Sequence, residues 1–368
     1  MPTLYLTEDR ALVRRDSKDC LLVQVPERRA SGGNILTPAR KEYIPLVKID
    51  DVVVMGEVTL TASALHLLLE NNIEITFLGY YGQFKGQLSP PFSKNALLRQ
   101  AQYRAHQDME QRCRLARQFV IGKLTNQRTR LLRHQRSSPT ADTGQTSQAI
   151  EQIAAILQRL NALPLQAMKT TQPLTSGDNP VKGTPLETIL GLEGAGSAAY
   201  FRCFDGLLTD HDMWSFAQRI QRPPTDAVNS LLSFGYSLLN KQVANAVQLV
   251  GFDHFVGYLH SSVYGRPALS LDIMEEFRPI IADSVALSLL NKRMLTPDDF
   301  IVELGAYHLK QERRNIFFTK FEERLNEEIT HPTFGYKATY RRCIELQARL
   351  LAKYLTGEIN EYPPLLVR

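Results

Sequence analysis

The architecture of the N-terminal part of the chain can be read from residues 44–88, IPLVKIDDVVVMGEVTLTASALHLLLENNIEITFLGYYGQFKGQL. Short runs rich in Val, Ile, Leu and Phe, punctuated by Gly, Asp and Asn, predict β-strands. Between them, TLTASALHLLLENN has helical spacing. It predicts one helix that is capped by Thr59 or Thr61 and ends at Asn71-Asn72. The run GYYGQFKGQLSPP then predicts a last hairpin, followed by a break at Pro90-Pro91.

The same texture extends towards the N-terminus, where LYLTEDRALVRR and DCLLVQVPE also predict strands. After Ser93, helical periodicity replaces strand alternation. The patterns predict helices and loops in this order: a long helix from Lys94 to about Arg136, a polar mobile loop over 136–148, a helix over about 149–162, an irregular stretch over 163–185 and further helices from Leu186. We therefore predict an α+β fold with an N-terminal β-sandwich-like domain containing one short helix, residues 1–92, followed by a larger all-α catalytic domain, residues 93–368.

Composition excludes several classes of protein. The 368 residues carry a formal net charge of only +5, and the four cysteines form no C-x-x-C pair. This spacing argues against a disulfide framework or a zinc ribbon and predicts reduced, buried thiols. The N-terminus lacks the pattern of a signal peptide, and no run of about 20 apolar residues predicts a membrane span. We expect a cytoplasmic protein without membrane association.

Positive charge is concentrated in the first helical stretch. Residues 94–136 contain eleven Lys and Arg but only two acidic residues, Asp108 and Glu110. Such asymmetry favours an anionic partner, of which a phosphate backbone is the common case, although a solvated helix face is the simpler alternative. The candidate DNA contacts are Arg112, Arg117, Lys123, Arg128, Arg130 and Arg133 of this stretch, with Arg222 and Arg278 from later segments.

A second chemical signal lies in GYLHSSVYGRPALSLDIMEEFRP, residues 257–279. Asp272 and Glu275 have the spacing of a capping box at a helix N-terminus, which is one interpretation. Alternatively, a helix that starts near Asp272 projects both carboxylates from one face, and Gly265 and Pro267 allow His260 to fold back towards them. A mixed nitrogen and oxygen donor set suits Mn²⁺ or Mg²⁺ better than structural zinc.

A third ligand would have to come from elsewhere in the chain. The stretch ETILGLEGAGSAAYF offers Glu187 and Glu193, and the small residues after Glu193 permit close helix packing or the approach of a substrate. The alternative is a glycine-weakened helix with exposed acids. Spacing alone does not choose between Glu187 and Glu193.

Four blocks in this order resemble the CRISPR-associated integrase family, the metal-dependent enzymes of spacer acquisition. They are the strand-rich block at 44–88, ILGLEGAGSAAYF, RPPTDAVNSLLSFGYSLL at 222–239 and the block at 257–279. Carried over by position, the resemblance implies that Glu193, His260 and Glu275 are catalytic and ligate Mn²⁺ or Mg²⁺. Asp272 is a secondary metal candidate, and Asn229 is a structural or site-supporting residue.

The resemblance also implies a function. The 3′-hydroxyl of a short double-stranded DNA attacks a phosphodiester of the repeat array, so no protein nucleophile is needed. The β domain would form a homodimer, and a small ferredoxin-like companion protein would complete the complex. Two alternatives use the same residues differently. One is a metal-dependent endonuclease acting on branched or single-stranded DNA, and the other is a non-catalytic DNA-binding dimer whose acidic residues only cap helices.

Overall fold

A computed structural model describes residues 3–29, 35–90, 95–137, 144–165, 183–261 and 263–367. The chain forms two compact units, Met1–Phe92 and Ser93–Arg368. Three parts of the predicted organisation lie outside the described residues. They are residues 91–94, which include Pro91 of the predicted break, the predicted domain boundary and Lys94, the portion of the predicted mobile loop at 138–143, and most of the predicted irregular stretch, 166–182. No helix in the described part of the chain is long and apolar enough to cross a membrane.

The first unit contains ten strands and one helix among its described residues. They are β1 Thr3–Leu6, β2 Leu12–Arg15, β3 Cys20–Val25, β4 Arg28–Arg29, β5 Ile35–Thr37, β6 Arg40–Pro45, β7 Asp51–Met55, β8 Thr59–Leu60, α1 Ala62–Glu70, β9 Glu74–Leu78 and β10 Phe84–Leu88. Two four-stranded sheets have the orders β1-β7-β9-β10 and β6-β3-β2-β8, and β4 pairs with β5. In the first sheet β1, β7 and β9 run parallel, whereas β9 and β10 form the predicted antiparallel hairpin.

Both sheets and α1 contribute to one hydrophobic core, which includes Val13, Leu21, Val52, Leu68 and Ile75. Every residue of β7 is buried, so this strand fills the core of the unit instead of presenting an apolar outer surface. The helix α1 begins where the sequence predicts, because the Thr61 side chain accepts a hydrogen bond from the Ala64 backbone N–H. Its C-cap is Asn71, as predicted.

The second unit is built mainly from helices. They are α2 Ala96–Gln107, α3 Met109–Ser137, α4 Gln145–Ala162, α5 Pro185–Arg202, α6 Ala227–Val250, α7 Ala268–Phe277, α8 Ala282–Asn291, α9 Arg314–Asn326 and α10 Tyr340–Leu355. The unit also contains two β-hairpins, formed by β11 Phe300–Glu303 with β12 Ala306–Leu309 and by β13 Glu328–Thr330 with β14 Lys337–Thr339. The mixed α+β class is confirmed, but the prediction of an all-α second domain is wrong, because the unit contains these four strands. Each strand is too short to produce a clear alternating pattern in the sequence.

The long basic helix predicted over 94–136 is two helices. The chain breaks at Asp108, which has extended backbone dihedrals. Its Oδ1 accepts hydrogen bonds from the backbone N–H groups of Glu110 and Gln111 at 3.0 and 3.2 Å. An aspartate that satisfies free N–H groups in this way starts the new helix α3. Because of this break, α2 and α3 are not constrained to share one helix axis.

Helix α3 packs against both α5 and α7. Glycines make these contacts close. A Cβ on Gly122 would lie 2.8 Å from Glu276 Cγ of α7, and a Cβ on Gly196 of α5 would lie 2.5 Å from Leu124 Cδ2. A side chain at either position would require the buried Glu276 or Leu124 side chain to shift. The small residues therefore bring the middle of α3 close to both neighbouring helices.

The C-terminal segment is tied to this arrangement through Glu276, which is fully buried. Its carboxylate accepts hydrogen bonds from the Tyr362 hydroxyl at 2.6 Å, the Leu365 backbone N–H at 2.7 Å and the Gln347 amide at 2.9 Å. The Asn126 side chain of α3 donates to the backbone carbonyls of Glu276 and Leu365, each at 2.8 Å. These contacts fix α7 between α3 and the end of the chain.

Candidate active site

Asp272 holds the segment before α7 in place. It is fully buried, and its two oxygens accept hydrogen bonds from the backbone N–H groups of Tyr258, Leu259 and His260. Gly257 is required beside it, because an added Cβ would lie 2.6 Å from Asp272 Oδ2 and 2.7 Å from the Ala268 carbonyl carbon. The carboxylate therefore organises a loop that would otherwise leave these donors unsatisfied.

The same carboxylate orients His260. Asp272 Oδ1 lies 2.7 Å from His260 Nδ1. Because a carboxylate can only accept, Nδ1 carries the ring proton and its N–H group donates a hydrogen bond to Asp272. The other ring nitrogen, Nε2, then presents a lone pair, 3.8 Å from Glu275 Oε1. A carboxylate that fixes the tautomer of an imidazole in this way is the usual second partner of a metal-ligating histidine.

The capping-box interpretation of Asp272 and Glu275 is wrong. Helix α7 begins at Ala268 with Pro267 as its N-cap residue, so Asp272 lies in the second turn and Glu275 one turn later. The helix starts earlier than the sequence indicates because buried, apolar Ala268 and Leu269 continue its core-facing side. Asp272 still accepts backbone N–H groups, but those of the preceding loop.

Glu193 of α5 and Glu275 of α7 meet at Lys123 of α3. The Lys123 ammonium group donates a short hydrogen bond to Glu193 Oε1 and lies 2.7 Å from Glu275 Oε2. Ser197, one turn along α5, also donates to Glu193 Oε1 at 2.8 Å. Glu187 has another role, because its Oε2 accepts from the Gly183 backbone N–H at 2.5 Å, at the start of α5. Of the two glutamates that the sequence left open, only Glu193 lies beside Glu275.

Positive charges surround the buried Glu275 carboxylate. Arg278 Nε lies 3.1 Å from its Oε1, and Lys123 contacts its other oxygen. Burial opposes ionisation, but the charges of Arg278 and Lys123 outweigh it and lower the pKa of Glu275 to about 2. For Lys123, burial disfavours the charge, but Glu275 and Glu193 raise the pKa above its ordinary value. The pair is therefore ionised at neutral pH.

The donor set fits a hard divalent cation, with two carboxylates and one imidazole whose Nε2 is free of the Asp272 hydrogen bond. As the side chains stand, no group of three or more His, Cys, Asp or Glu residues in the described part of the chain forms a ready-made metal site. At Glu193 and Glu275, the Lys123 ammonium contacts both carboxylates. The chemistry of the donors matches the prediction, and the assignment of Glu193, His260 and Glu275 as ligands stays a proposal.

A cavity of about 570 Å³ adjoins Glu193 and Lys123. Its lining includes the basic residues Arg202, Arg219 and Arg278. The cavity thus combines one carboxylate, that of Glu193, with several cationic side chains, which suits a phosphate group near the acidic residues.

Two of these arginines are held by Tyr236. The guanidinium carbons of Arg278 and Arg219 lie 4.5 and 5.3 Å from the centre of its ring, and the Tyr236 hydroxyl donates to buried Asp283 at 2.7 Å. Arg219 also donates to Asn229 Oδ1 at 2.7 Å. Asn229 thus helps to hold Arg219, and its supporting role in the site stays a prediction.

The predicted DNA contacts separate by burial. Arg112 is buried and donates to the Tyr258 carbonyl at 3.0 Å, and Arg130 donates to the Pro279 carbonyl at 2.9 Å. Arg128 contacts the Ile150 carbonyl at 3.4 Å, and Arg117 is partly buried. Arg133 and Arg222 are exposed. Arg112 and Arg130 thus brace the backbone around α7, and the assignment of the exposed residues to DNA stays a prediction.

Sequence reasoning placed Lys123 on the DNA and did not connect it to the acidic pair. It also omitted Arg219, Tyr236 and Ser197. A signal for Lys123 does exist, because it lies among the apolar residues of α3, flanked by Ile121, Gly122 and Leu124. No signal of this kind marks Arg219, which lies in an irregular segment and reaches the cavity only through the tertiary fold.

Two carboxylates that share a lysine, an oriented imidazole next to one of them and an adjoining cavity with three arginines suit the class of enzymes that act on phosphodiesters. The family model described as CRISPR associated protein Cas1 matches residues 4–323. The chain therefore belongs to the Cas1 family, and the predicted resemblance is confirmed.

Two curated relatives agree with this membership. The CRISPR-associated endonuclease Cas1 1 of Chlorobaculum tepidum is 34% identical over 100% of this chain and 98% of its own length. A CRISPR-associated exonuclease Cas4/endonuclease Cas1 fusion of Geobacter sulfurreducens is 35% identical over 99% of this chain, which spans 60% of the fusion. The prediction of an endonuclease or integrase enzyme is confirmed at the level of the family.

Solved structures show the same fold. A casposase bound to integration product covers 99% of this chain and 93% of its own, with a TM-score of 0.81 and 24% identity. A Cas6-RT-Cas1–Cas2 complex contains a chain that covers 99% of this one, which spans 36% of that chain, with a TM-score of 0.73 and 23% identity.

Proposed function

We propose that this chain is the divalent-cation-dependent integrase of CRISPR adaptation, which joins the 3′-hydroxyl of a short DNA duplex to a phosphodiester of the repeat array. The observation that carries the proposal is that Lys123 contacts both Glu193 and Glu275, with His260 Nε2 3.8 Å from Glu275 Oε1, and that Glu193 and Lys123 line a cavity with three arginines. Membership of the Cas1 family supports it, as does the likeness in fold to a casposase bound to integration product.

Glu193, Glu275 and His260 would hold Mn²⁺ or Mg²⁺. Their oxygen and nitrogen donors suit both ions and do not distinguish between them. When bound, such an ion lowers the pKa of an attacking hydroxyl and neutralises charge on the phosphate. The depressed pKa of Glu275 keeps this carboxylate ionised and ready to ligate well below neutral pH.

The residues of the chain perform the positioning. Asp272 keeps the Nε2 lone pair of His260 directed towards Glu275. Arg219 and Arg278, fixed against Tyr236, present guanidinium groups to the cavity, where they would bind the oxygens of the phosphodiester. In this reaction the DNA supplies the nucleophile, and the products are one new phosphodiester and one released 3′-hydroxyl. Protein groups orient the reactants but form no covalent intermediate.

The test compares two glutamates of the same helix. Glu193→Gln removes a proposed ligand, whereas Glu187→Gln alters a carboxylate at the start of α5. We expect Glu193→Gln to lose strand transfer by at least about a hundredfold with duplex affinity nearly unchanged, and Glu187→Gln to retain activity. Unchanged strand transfer in Glu193→Gln would remove this residue from the site.

The same assay separates the related nuclease function, which the names of the curated relatives favour. If water replaces the 3′-hydroxyl, the products on branched or single-stranded DNA are hydrolysed instead of joined. A wild-type protein that cleaves such DNA but never joins it is an endonuclease and contradicts the integrase proposal. A non-catalytic DNA-binding dimer would produce neither product and would show no Mn²⁺ site that depends on His260.

We also propose that the first unit forms the homodimer and that the complex includes double-stranded DNA and a ferredoxin-like companion. A Cas partner is supported by the Cas6-RT-Cas1–Cas2 complex, one chain of which shares this fold. In the first unit, the edge strand β10 exposes Phe84 and Leu88, apolar side chains that a second copy would cover. Phe84→Asp should shift the mass measured by light scattering from dimer to monomer, whereas Lys85→Asp, which replaces a neighbouring exposed side chain that is already charged, should not.

A further inference from the structure

Lys123 occupies the position where the two acidic ligands meet. Its side chain is only 10% exposed, while those of Glu193 and Glu275 are 22% and 4% exposed. The ammonium group contacts one oxygen of each carboxylate, so it bridges α5 and α7 as well as pairing with them. Removing an ammonium group from water costs free energy, so the burial of Lys123 at this position calls for an explanation.

The charges of the site are already balanced without a divalent cation. Glu193 and Glu275 supply two negative charges, and Lys123 and Arg278 supply two positive charges within 3.1 Å. A divalent cation bound to both carboxylates would lie against the Lys123 ammonium, and the repulsion between them would be strong in a partly dehydrated site. Both cations therefore cannot keep the same carboxylate oxygens.

We propose that Lys123 is the resident counter-cation of the metal site. It holds Glu193 and Glu275 together before the divalent cation arrives, and the ion displaces its ammonium group into the adjoining cavity. The inference rests on the proposed function, since it assumes that the ion binds these two carboxylates.

The surroundings of Lys123 allow this movement. The residue lines the cavity of about 570 Å³ that opens beside Glu193, so its ammonium group can turn away without breaking the packing of α3. Gln127, one turn along α3, and Ser197 line the same cavity and offer oxygen acceptors. In the presence of DNA, a phosphate in this cavity would receive the displaced charge.

The experiment measures Mn²⁺ binding to the full chain by electron paramagnetic resonance, without DNA and independently of activity. Lys123→Met removes the charge at similar volume, Lys123→Arg keeps it, and Lys320→Met removes a lysine from a surface ion pair with Glu323 as the matched control. We expect Lys123→Met to lower the Mn²⁺ dissociation constant at least tenfold. Lys123→Arg should not bind more tightly than the wild type, and Lys320→Met should match it.

Thermal unfolding provides a second readout. In chelator, Lys123→Met leaves the buried Glu275 and the half-buried Glu193 without their shared cation, so its melting temperature should fall below that of the wild type. Saturating Mn²⁺ should then raise the melting temperature of Lys123→Met by more than it raises that of the wild type. Equal or weaker Mn²⁺ binding by Lys123→Met, with an equal melting response, would overturn the inference.

Glu193→Gln shows whether the inference alone fails or the proposed function fails with it. If the single change Glu193→Gln abolishes Mn²⁺ binding but the single change Lys123→Met leaves the Mn²⁺ affinity unchanged, the metal site stands and the proposed role of Lys123 is wrong. If tight binding survives in the Glu193→Gln, Lys123→Met double variant, the ion binds elsewhere, and both proposals fail.

Discussion

Gly196 of α5 lies against Leu124 of α3 so closely that an added Cβ would be 2.5 Å from Leu124 Cδ2. Leu124 is fully buried and cannot move aside without disturbing the core. This contact brings Glu193, one turn before Gly196, within reach of Lys123. The acidic pair therefore depends on the absence of a side chain at a neighbouring position.

Gly196→Ala should destabilise the protein despite the higher helix propensity of alanine. Overpacking against Leu124 costs about 1–3 kcal/mol, whereas alanine in a helix gains about 1 kcal/mol over glycine. Gly194→Ala is the matched control, because a Cβ there meets no atom within 4 Å, so it should stabilise the protein. Urea unfolding measures both. A Gly196→Ala variant as stable as Gly194→Ala would contradict the close contact between α3 and α5.

Asp272→Asn should disturb His260 without removing it. The amide has one acceptor oxygen, so backbone N–H groups of the 258–260 loop lose a partner, at a cost of about 1–3 kcal/mol. The imidazole also loses the carboxylate that fixes its Nδ1–H tautomer, and loss of such a partner typically weakens metal affinity about 10- to 100-fold.

Nitrogen-15 NMR of the histidine ring measures the tautomer, and Mn²⁺ titration measures the affinity. Asp253→Asn is a suitable control, because its carboxylate also accepts a backbone N–H, that of Phe255, in an exposed position. A His260 spectrum that is unchanged in Asp272→Asn would show that the carboxylate does not set the tautomer.

Stability should fall as pH rises from about 5 to 7 because of Glu276. Burial raises the pKa of this carboxyl group to about 7, even though the Leu365 N–H, Tyr362 and Gln347 favour its ionised form. In the unfolded chain it titrates near its ordinary pKa of about 4.3, so the folded state binds the extra proton in this interval. Its contribution is complete below the unfolded pKa and is lost as pH rises through about 7, to a total of about 3–4 kcal/mol.

Glu276→Gln removes this titration. We expect its free energy of unfolding, measured by urea denaturation at pH 5 to 8, to vary less with pH than that of the wild type, the difference being confined to the interval below about pH 7. Parallel pH profiles for the two proteins would indicate that Glu276 is ionised when folded.

Arg112 and Arg222 are both predicted to contact DNA, but their substitutions should affect stability differently. Arg112→Ala removes a buried donor to the Tyr258 carbonyl and should cost about 2 kcal/mol of stability. Arg222→Ala alters an exposed side chain and should leave stability within about 0.5 kcal/mol. If Arg222 contacts a phosphate, its loss should reduce the slope of log affinity against log salt by about 1. A salt slope identical to that of the wild type would exclude Arg222 from the DNA interface.

Local sequence patterns predicted the elements whose causes are local. Helix α1 follows from helical spacing and the Thr61 cap, and the β9–β10 hairpin follows from its turn residues. The division between a strand-rich and a helical part follows from the change of period near Ser93. The start of α7 was misplaced because Asp272 has the chemistry of a cap but a partner outside its own helix.

The residue types of the site were also available from the sequence, since Glu193, His260, Asp272 and Glu275 are chemically conspicuous in apolar surroundings. Tertiary packing alone decided what each one touches. Glu193 rather than Glu187 faces Glu275 because α5 approaches α3 at Gly196, and Lys123 pairs with both acids instead of facing solvent. These contacts join residues that are far apart along the chain, and the spacing of residues along one helix carries no information about which face a distant helix will cover.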